Sequence, residues 1–485
     1  MSTANADAIL GRSKPWRENI EALAAAIILA LFLKVYILEA YKIPSGSMQP
    51  TLFGSADPEI FDRILVNKFT PKYRDPERFE VVVFKYPLNR AQNFVKRVVG
   101  MPGEQLRILN GDLWTRPDES APWRIERRPA AVQEAHWKRL DRKQPNATSW
   151  KVIDGGDRWT VKGRDLSADG PGRARFGLTD GAIFNRPYDG YPDALLGDLP
   201  NTNSRHRPIA VGDLRLEGEL TAAEDLTFAS VVLREGRYEY RFRIPGPAAP
   251  ADAQPEIALF DGVTREELPA EVAESFGRLR AGQSVRFAAE NLDDRLALEL
   301  DGERLVTRDV DPQSDPNSRI YLEVEQGRAR FNALMPHRDL YYLGGGKSTF
   351  EIPEGHYVML GDNTQDSSDA REWKVRRYGL ADGTMIEGNH RPPENPFIAG
   401  GDKVTWFVDR WGERHALEVS ADLMGGEVAR SQPSAALDSL EKVPAMPGGV
   451  EAAPYVPREL ISGRAVAVFW PLPPMSKIAR LKWIR

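Results

Sequence analysis

The sequence predicts a mainly β protein behind one N-terminal apolar helix, and three observations carry that expectation. Turn-formers are abundant, with 40 glycines and 37 prolines among 485 residues, above the usual share of a globular chain. Short β-branched or alternating runs recur at residues 63–68, 80–84, 93–99, 238–244, 296–300 and 321–324, and such runs favour strands. One stretch, residues 20–38, is apolar over a helical length. Composition also excludes chemistry. The chain has no cysteine, which removes disulfides, thiol nucleophiles, iron–sulfur clusters and thiolate zinc sites. Its six histidines are scattered without helical ligand spacing, so neither a metal nor another cofactor is expected. A net charge of −5, from 65 basic and 70 acidic residues, argues against nucleic acid as a partner.

Residues 1–19 are polar and carry Arg12, Lys14 and Arg17. Residues 20–38 follow as a 19-residue apolar stretch with Lys34 near its far end. About 20 residues are needed to cross a bilayer, and the long stem of Lys34 lets its charge snorkel to the interface. A cleaved signal peptide is the rival reading, but no small-x-small cleavage site follows the run. The reading is therefore an uncleaved transmembrane anchor. The basic residues before it place the N-terminus in the cytoplasm and residues beyond 40 outside the cytoplasmic membrane.

Just past the anchor, residues 43–52 hold two prolines, a glycine and the hydroxyls of Ser45 and Ser47. Such a segment cannot form a regular helix; alone it reads as a linker leaving the bilayer. In the strand at 93–99, period-2 alternation puts Phe94, Lys96 and Val98 on one face. Flanked by apolar side chains, Lys96 loses hydration, which disfavours its charged form and suits a general base. The competing reading is an ordinary strand lysine that snorkels to water.

Taken together, these segments resemble the type I signal peptidases, membrane-bound serine proteases that use a Ser-Lys dyad. Residues 44–52, Pro-Ser-Gly-Ser-Met-Gln-Pro-Thr-Leu, resemble the nucleophile box, and the resemblance implies that Ser47 attacks while Ser45 helps hold the oxyanion. Residues 62–68 resemble the next strand box, and residues 96–104 the lysine box, making Lys96 the base. Residues 361–371 resemble the supporting box; there the resemblance implies that Ser367 bonds the lysine while Asp369 and Arg371 brace the loop. Residues 456–465 resemble the closing segment. The chain departs from the family pattern at Phe61, at Thr364-Gln365 and at Lys374. The implied chemistry is attack by Ser47 activated by neutral Lys96, an acyl-enzyme, then hydrolysis. The implied substrates are the signal peptides of exported preproteins, with small residues at −3 and −1 selected near Pro44, Met48, Val82 and Phe84.

The expected organisation is a catalytic core interrupted twice. Residues 41–107 form its first part, residues 341–375 its second and residues 455–475 its close. Residues 108–340 are an insertion that includes a β-sandwich at about 205–335 of jelly-roll or laminin-G type, read from alternating leucines and turn signals. A glycan or protein ligand for it competes with a plain spacer role. Residues 376–454 are a second insertion with a flexible part at 432–454, and residues 476–485 are a basic tail that either frays or lies on a membrane. The alternative to a peptidase is a membrane-tethered β-sandwich binding protein with an inactive peptidase core.

Overall fold

A computed structural model of the chain describes residues 15–55, 60–141, 150–177, 181–186, 189, 191, 208–313, 317–345, 347–380, 383–390, 404–418, 442–471 and 480–485. The mainly β expectation holds. The N-terminal helix differs from expectation. Helix α1 spans Pro15–Phe32, a π-helical turn follows at Leu33–Ile37, and strand β1 starts at Leu38 (Leu38–Lys42). Among the described residues no helix is long and apolar enough to cross a membrane. The far end of the apolar run is claimed instead by the sheet, where Leu38 pairs with Asn67 and Lys42 with Arg63.

The catalytic-type motifs meet in one antiparallel sheet. Its strands are β1, β2 (Arg63–Asn67), β3 (Val81–Tyr86), β4 (Asn89–Gly100), β5 (His356–Leu360), β6 (Tyr455–Pro457) and β7 (Ile461–Trp470). They lie in the order β1-β2-β7-β3-β4-β5-β6. Alternation along β3 divides two cores. Val81 and Val83 join Met48, Leu52, Ile64 and Val66 on one side. Val82 and Phe84 join Val98, Leu360 and Trp373 on the other. A hairpin of Gln105–Leu109 and Asp112–Arg116 extends from this unit. Its Asn110-Gly111 turn has φ of 55° and 100°, the left-handed pair that a two-residue hairpin requires.

Between the hairpin and β5 stands a β-sandwich of an eight-stranded and a seven-stranded sheet sharing one core. It begins earlier than the expected residue 205. Trp150–Asp154 and Gly172–Phe176 pair in the seven-stranded sheet, while Trp159–Lys162 and Asp165–Ala168 join the eight-stranded one. Each of these short strands anchors through few large side chains, such as Trp150, Trp159 and Phe176, so the sequence shows little periodicity there. In the second insertion Lys442–Ala452 is a strand paired with Lys374–Leu380, not a flexible segment; residues 432–441 lie outside the described residues.

The C-terminal tail also departs from its expectation. Lys482–Trp483 pairs with β7, Ile484 is buried, and Arg480 is 8 % exposed. Arg480 donates to both carboxylate oxygens of Asp62, at 2.7 and 2.9 Å, and to the Thr51 carbonyl at 3.1 Å. Its guanidinium also lies 4.0 Å from the Phe53 ring centroid. Breaking a buried pair strands the remaining charge. Arg480→Met is therefore expected to lower unfolding free energy by about 3–5 kcal/mol in urea titrations, whereas a frayed tail would give no change.

Candidate active site

Local sequence shapes the loop between β1 and β2. Gly46–Met48 forms a single 3₁₀ turn, closed by the Gln49 N–H on the Gly46 carbonyl at 3.1 Å. Met48 is 1 % exposed and plugs the loop into the core. Gly54 permits the close return of the chain, because a Cβ there would lie 2.5 Å from the Ile43 carbonyl and 2.6 Å from that of Ser45. Asp62 closes the loop by accepting the Phe53 N–H at 2.8 Å.

Lys96 reaches this loop from β4. Its Nζ and the Ser47 Oγ are hydrogen-bonded at 2.5 Å. Lys96 is 3 % exposed, it pairs across the sheet with Val82, and its Nζ lies 5.8 Å from the Phe94 ring centroid. Burial lowers its pKa to about 8, against the pull of the Asp369 carboxylate. The flanking residues that the alternation picks out thus set its environment.

The 361–371 loop closes over the pair. Asn363 donates its backbone N–H to the Ser47 carbonyl at 3.1 Å and its side-chain amide to the Gly46 carbonyl at 3.0 Å. Gly361 lies where a Cβ would come within 2.1 Å of the Ser367 Oγ and 2.4 Å of the Ser47 carbonyl. The Ser367 hydroxyl is buried and has no hydrogen-bond partner among the described residues, so the expected bond to Lys96 is not formed. Asp369 and Arg371 do pair, at 2.8 and 2.6 Å. Asp369 also accepts the Gly361 N–H at 3.0 Å, and Arg371 donates to the carbonyls of Leu343 and Thr364. Burial would raise the Asp369 carboxyl, but the bonded guanidinium holds it below the usual carboxylate range.

Sequence reasoning passed over a second pair. Arg97, next to Lys96 and on the opposite face, donates to Asp362 at 2.8 and 2.7 Å with both side chains essentially unexposed. Burial pushes Asp362 up, yet the Arg97 guanidinium holds it well below the usual range. His136 lies 3.8 Å from Asp362, and burial lowers its pKa. The signal was present in the sequence, since Arg97 alternates with Lys96 and Asp362 stands in the Gly-Asp-Asn motif.

Other assigned positions behave differently. Met48, Val82 and Phe84 are at most 1 % exposed, so their side chains shape the site from within the core; Pro44 and Ser45 are exposed. The insertion reaches the site as well. The Tyr191 hydroxyl donates to the Gln49 side chain, its ring meets Phe53 edge-on at 4.8 Å, and Gln365 donates to the Asn185 carbonyl. Gln365 is one of the departures from the family pattern. Gly361→Ala is expected to lower unfolding free energy by about 1–3 kcal/mol, because overpacking forces the neighbouring atoms to shift. Urea denaturation followed by circular dichroism tests this; unchanged stability would contradict the close packing at Gly361.

Residues 16–170 match a family model described as signal peptidase, peptidase S26. The signal peptidase I of Pseudomonas aeruginosa is 41 % identical over 106 residues, covering 18 % of this chain and 35 % of that protein. That of Aquifex aeolicus is 41 % identical over 93 residues, 19 % of this chain and 34 % of the relative. That of Leptolyngbya laminosa is 35 % identical over 105 residues, 20 % of this chain and 48 % of the relative. These matches bear out the resemblance to type I signal peptidases, and the chain spans between 34 % and 48 % of the length of these three relatives. Among solved structures, the carbohydrate binding module CBM66 from Bacillus subtilis overlays 40 % of this chain and 97 % of its own at 14 % identity, with a TM-score of 0.26. A likeness that weak carries no functional weight.

Proposed function

We propose that this chain is a serine endopeptidase that removes signal peptides from exported preproteins, with Ser47 as nucleophile and Lys96 as general base. The single observation that carries the proposal is the 2.5 Å contact between the Lys96 Nζ and the Ser47 Oγ in a site that buries the amine. A buried lysine is partly neutral near pH 8, and the neutral amine accepts the hydroxyl proton as the serine oxygen attacks the carbonyl. The resulting ammonium returns that proton to the departing amine. Water then enters, loses its proton to Lys96 and cleaves the acyl-enzyme. The Ser47 N–H and the exposed Ser45 hydroxyl are the donors for the oxyanion, which sets the cost of losing one at about 3–4 kcal/mol in the barrier. Asp369 and Arg371 hold the loop over the dyad, and Ser367, whose hydroxyl makes no bond to the lysine here, packs against Gly361.

The membrane assignment rests on α1. Its apolar side chains face outward, among them Ile28 at 67 % and Leu23 at 60 % exposed. Among the described residues they find no protein partner of comparable area, and a lipid bilayer would cover them. On this reading the helix tethers the chain to the cytoplasmic membrane with the catalytic face outside. The sandwich-binding alternative, with an inactive core, is not favoured by any contact at the dyad.

Ser47→Ala and Lys96→Ala are each expected to lower preprotein cleavage by at least about 10³-fold in a gel-based processing assay. Retained cleavage in either variant sinks the dyad. The acid limb of kcat/KM should fall about tenfold per pH unit below about 8, the value to which burial lowers Lys96. The same lysine makes a stability prediction. Its folded pKa of about 8 lies under the ordinary lysine value of 10.5, so the unfolded chain binds the extra proton between those values and stability is lost as pH falls through that window. Lys96→Met should therefore abolish activity yet stabilise the protein at pH 7 by about 2–4 kcal/mol, as read from urea denaturation.

A further inference from the structure

A second polar cluster lies away from the dyad, where the hairpin of the core meets the β-sandwich. Asp112 stands just after the Asn110-Gly111 turn. Asp213 precedes the sandwich strand Leu214–Ala222, and Asp293 sits in the turn between Ser284–Leu292 and Arg295–Leu300. One carboxylate oxygen from each of the three lies within 4.8 Å of the others. The side chains are 8 %, 9 % and 3 % exposed. Asp112, Asp213, Glu235 and Asp294 also line a cavity with room for one water-sized sphere, about 10 Å³.

Two features separate this cluster from an ordinary acidic patch. First, the Oδ2 atoms of Asp293 and Asp294 are buried without a hydrogen-bond partner among the described residues, in side chains 3 % and 8 % exposed. Second, the nearby cations are engaged elsewhere. Arg127 donates to the Asp293 backbone carbonyl at 2.7 Å, and Arg128 pairs with Asp339 at 2.7 Å. Among the described residues none of the three aspartates forms an ion pair. Buried carboxylates left in this way are stabilised by a metal or by protons.

We propose that Asp112, Asp213 and Asp293 bind one calcium ion that ties the inserted sandwich to the catalytic core. Every donor is oxygen, which suits a hard cation over zinc or copper. Calcium takes six to eight oxygens at about 2.3–2.6 Å, so its ligand oxygens lie no more than about 5 Å from one another, a limit the three carboxylates meet. Glu235 and the backbone at Gly212 stand at the cavity wall to add oxygens. Magnesium demands a smaller, near-ideal octahedron and keeps several of its waters, so a cage of several protein carboxylates suits calcium better. The expectation from composition, that the chain carries no metal, rested on cysteine and histidine and did not weigh carboxylates brought together by the fold.

The test uses the full chain in detergent micelles, stripped with EDTA. Calorimetric titration with CaCl₂ should give one saturable site with a Kd of about 1 mM or tighter, and saturating calcium should raise Tm by several degrees. MgCl₂ at the same concentrations should do neither. Asp112→Asn and Asp293→Asn should each weaken calcium binding at least tenfold while leaving Tm in EDTA unchanged or higher, since each removes a repelled charge. No saturable calcium binding by the wild-type chain, an equal response to magnesium, or unaltered binding by both variants would overturn the proposal. Because the readouts are binding and Tm, their outcome is independent of the peptidase assignment.

Discussion

Withdrawing the Lys96 amine from water is the constraint around which this molecule is organised. A lysine in a strand would ordinarily extend its stem and keep its charge hydrated. Here Val82 across the sheet, Phe94 beside it and the 361–371 loop above it leave the side chain 3 % exposed. The penalty falls on the charged form and lowers the pKa to about 8. A site of that kind is unfavourable for folding at neutral pH, so the surrounding structure must hold it closed.

Buried ion pairs do this, and two of the three join pieces distant in sequence. Arg97–Asp362 fixes β4 to the start of the supporting loop. Asp369–Arg371 stiffens that loop and holds the Gly361 N–H. Arg480–Asp62 ties the C-terminal tail to the base of the Ser47 loop. Pairs like these contribute little net stability compared with apolar replacements, yet they are costly to break. Their value is in fixing geometry: Asn363 can meet the Ser47 carbonyl because the residue before it is clamped.

The insertion is therefore not a passenger on the core. Tyr191 touches Gln49 and Phe53 on the Ser47 loop, and Asn185 takes the amide of Gln365. At Thr364-Gln365, where the chain departs from the family pattern, the glutamine side chain holds the inserted domain. The carboxylate cluster at Asp112, Asp213 and Asp293 stands at the same junction between the two units.

Much of the site was legible in the sequence because its signals are local. A proline- and glycine-bound loop with two hydroxyls, a lysine on the apolar face of a strand, and an Asn-Gly turn each need only neighbouring residues to be read. Short strands anchored by single tryptophans escaped because alternation over so few residues is too weak to recognise, and the 11-residue strand at 442–452 escaped because its sequence is rich in proline, glycine and alanine. The tertiary structure alone decided the rest. Arg480, read as part of a loose tail, became a buried partner of Asp62 418 residues away. Met48, Val82 and Phe84 became core, and the Ser367 hydroxyl was left without a partner. The reason is physical: burial and ion pairing depend on which segments meet in space, and chain order does not specify those meetings.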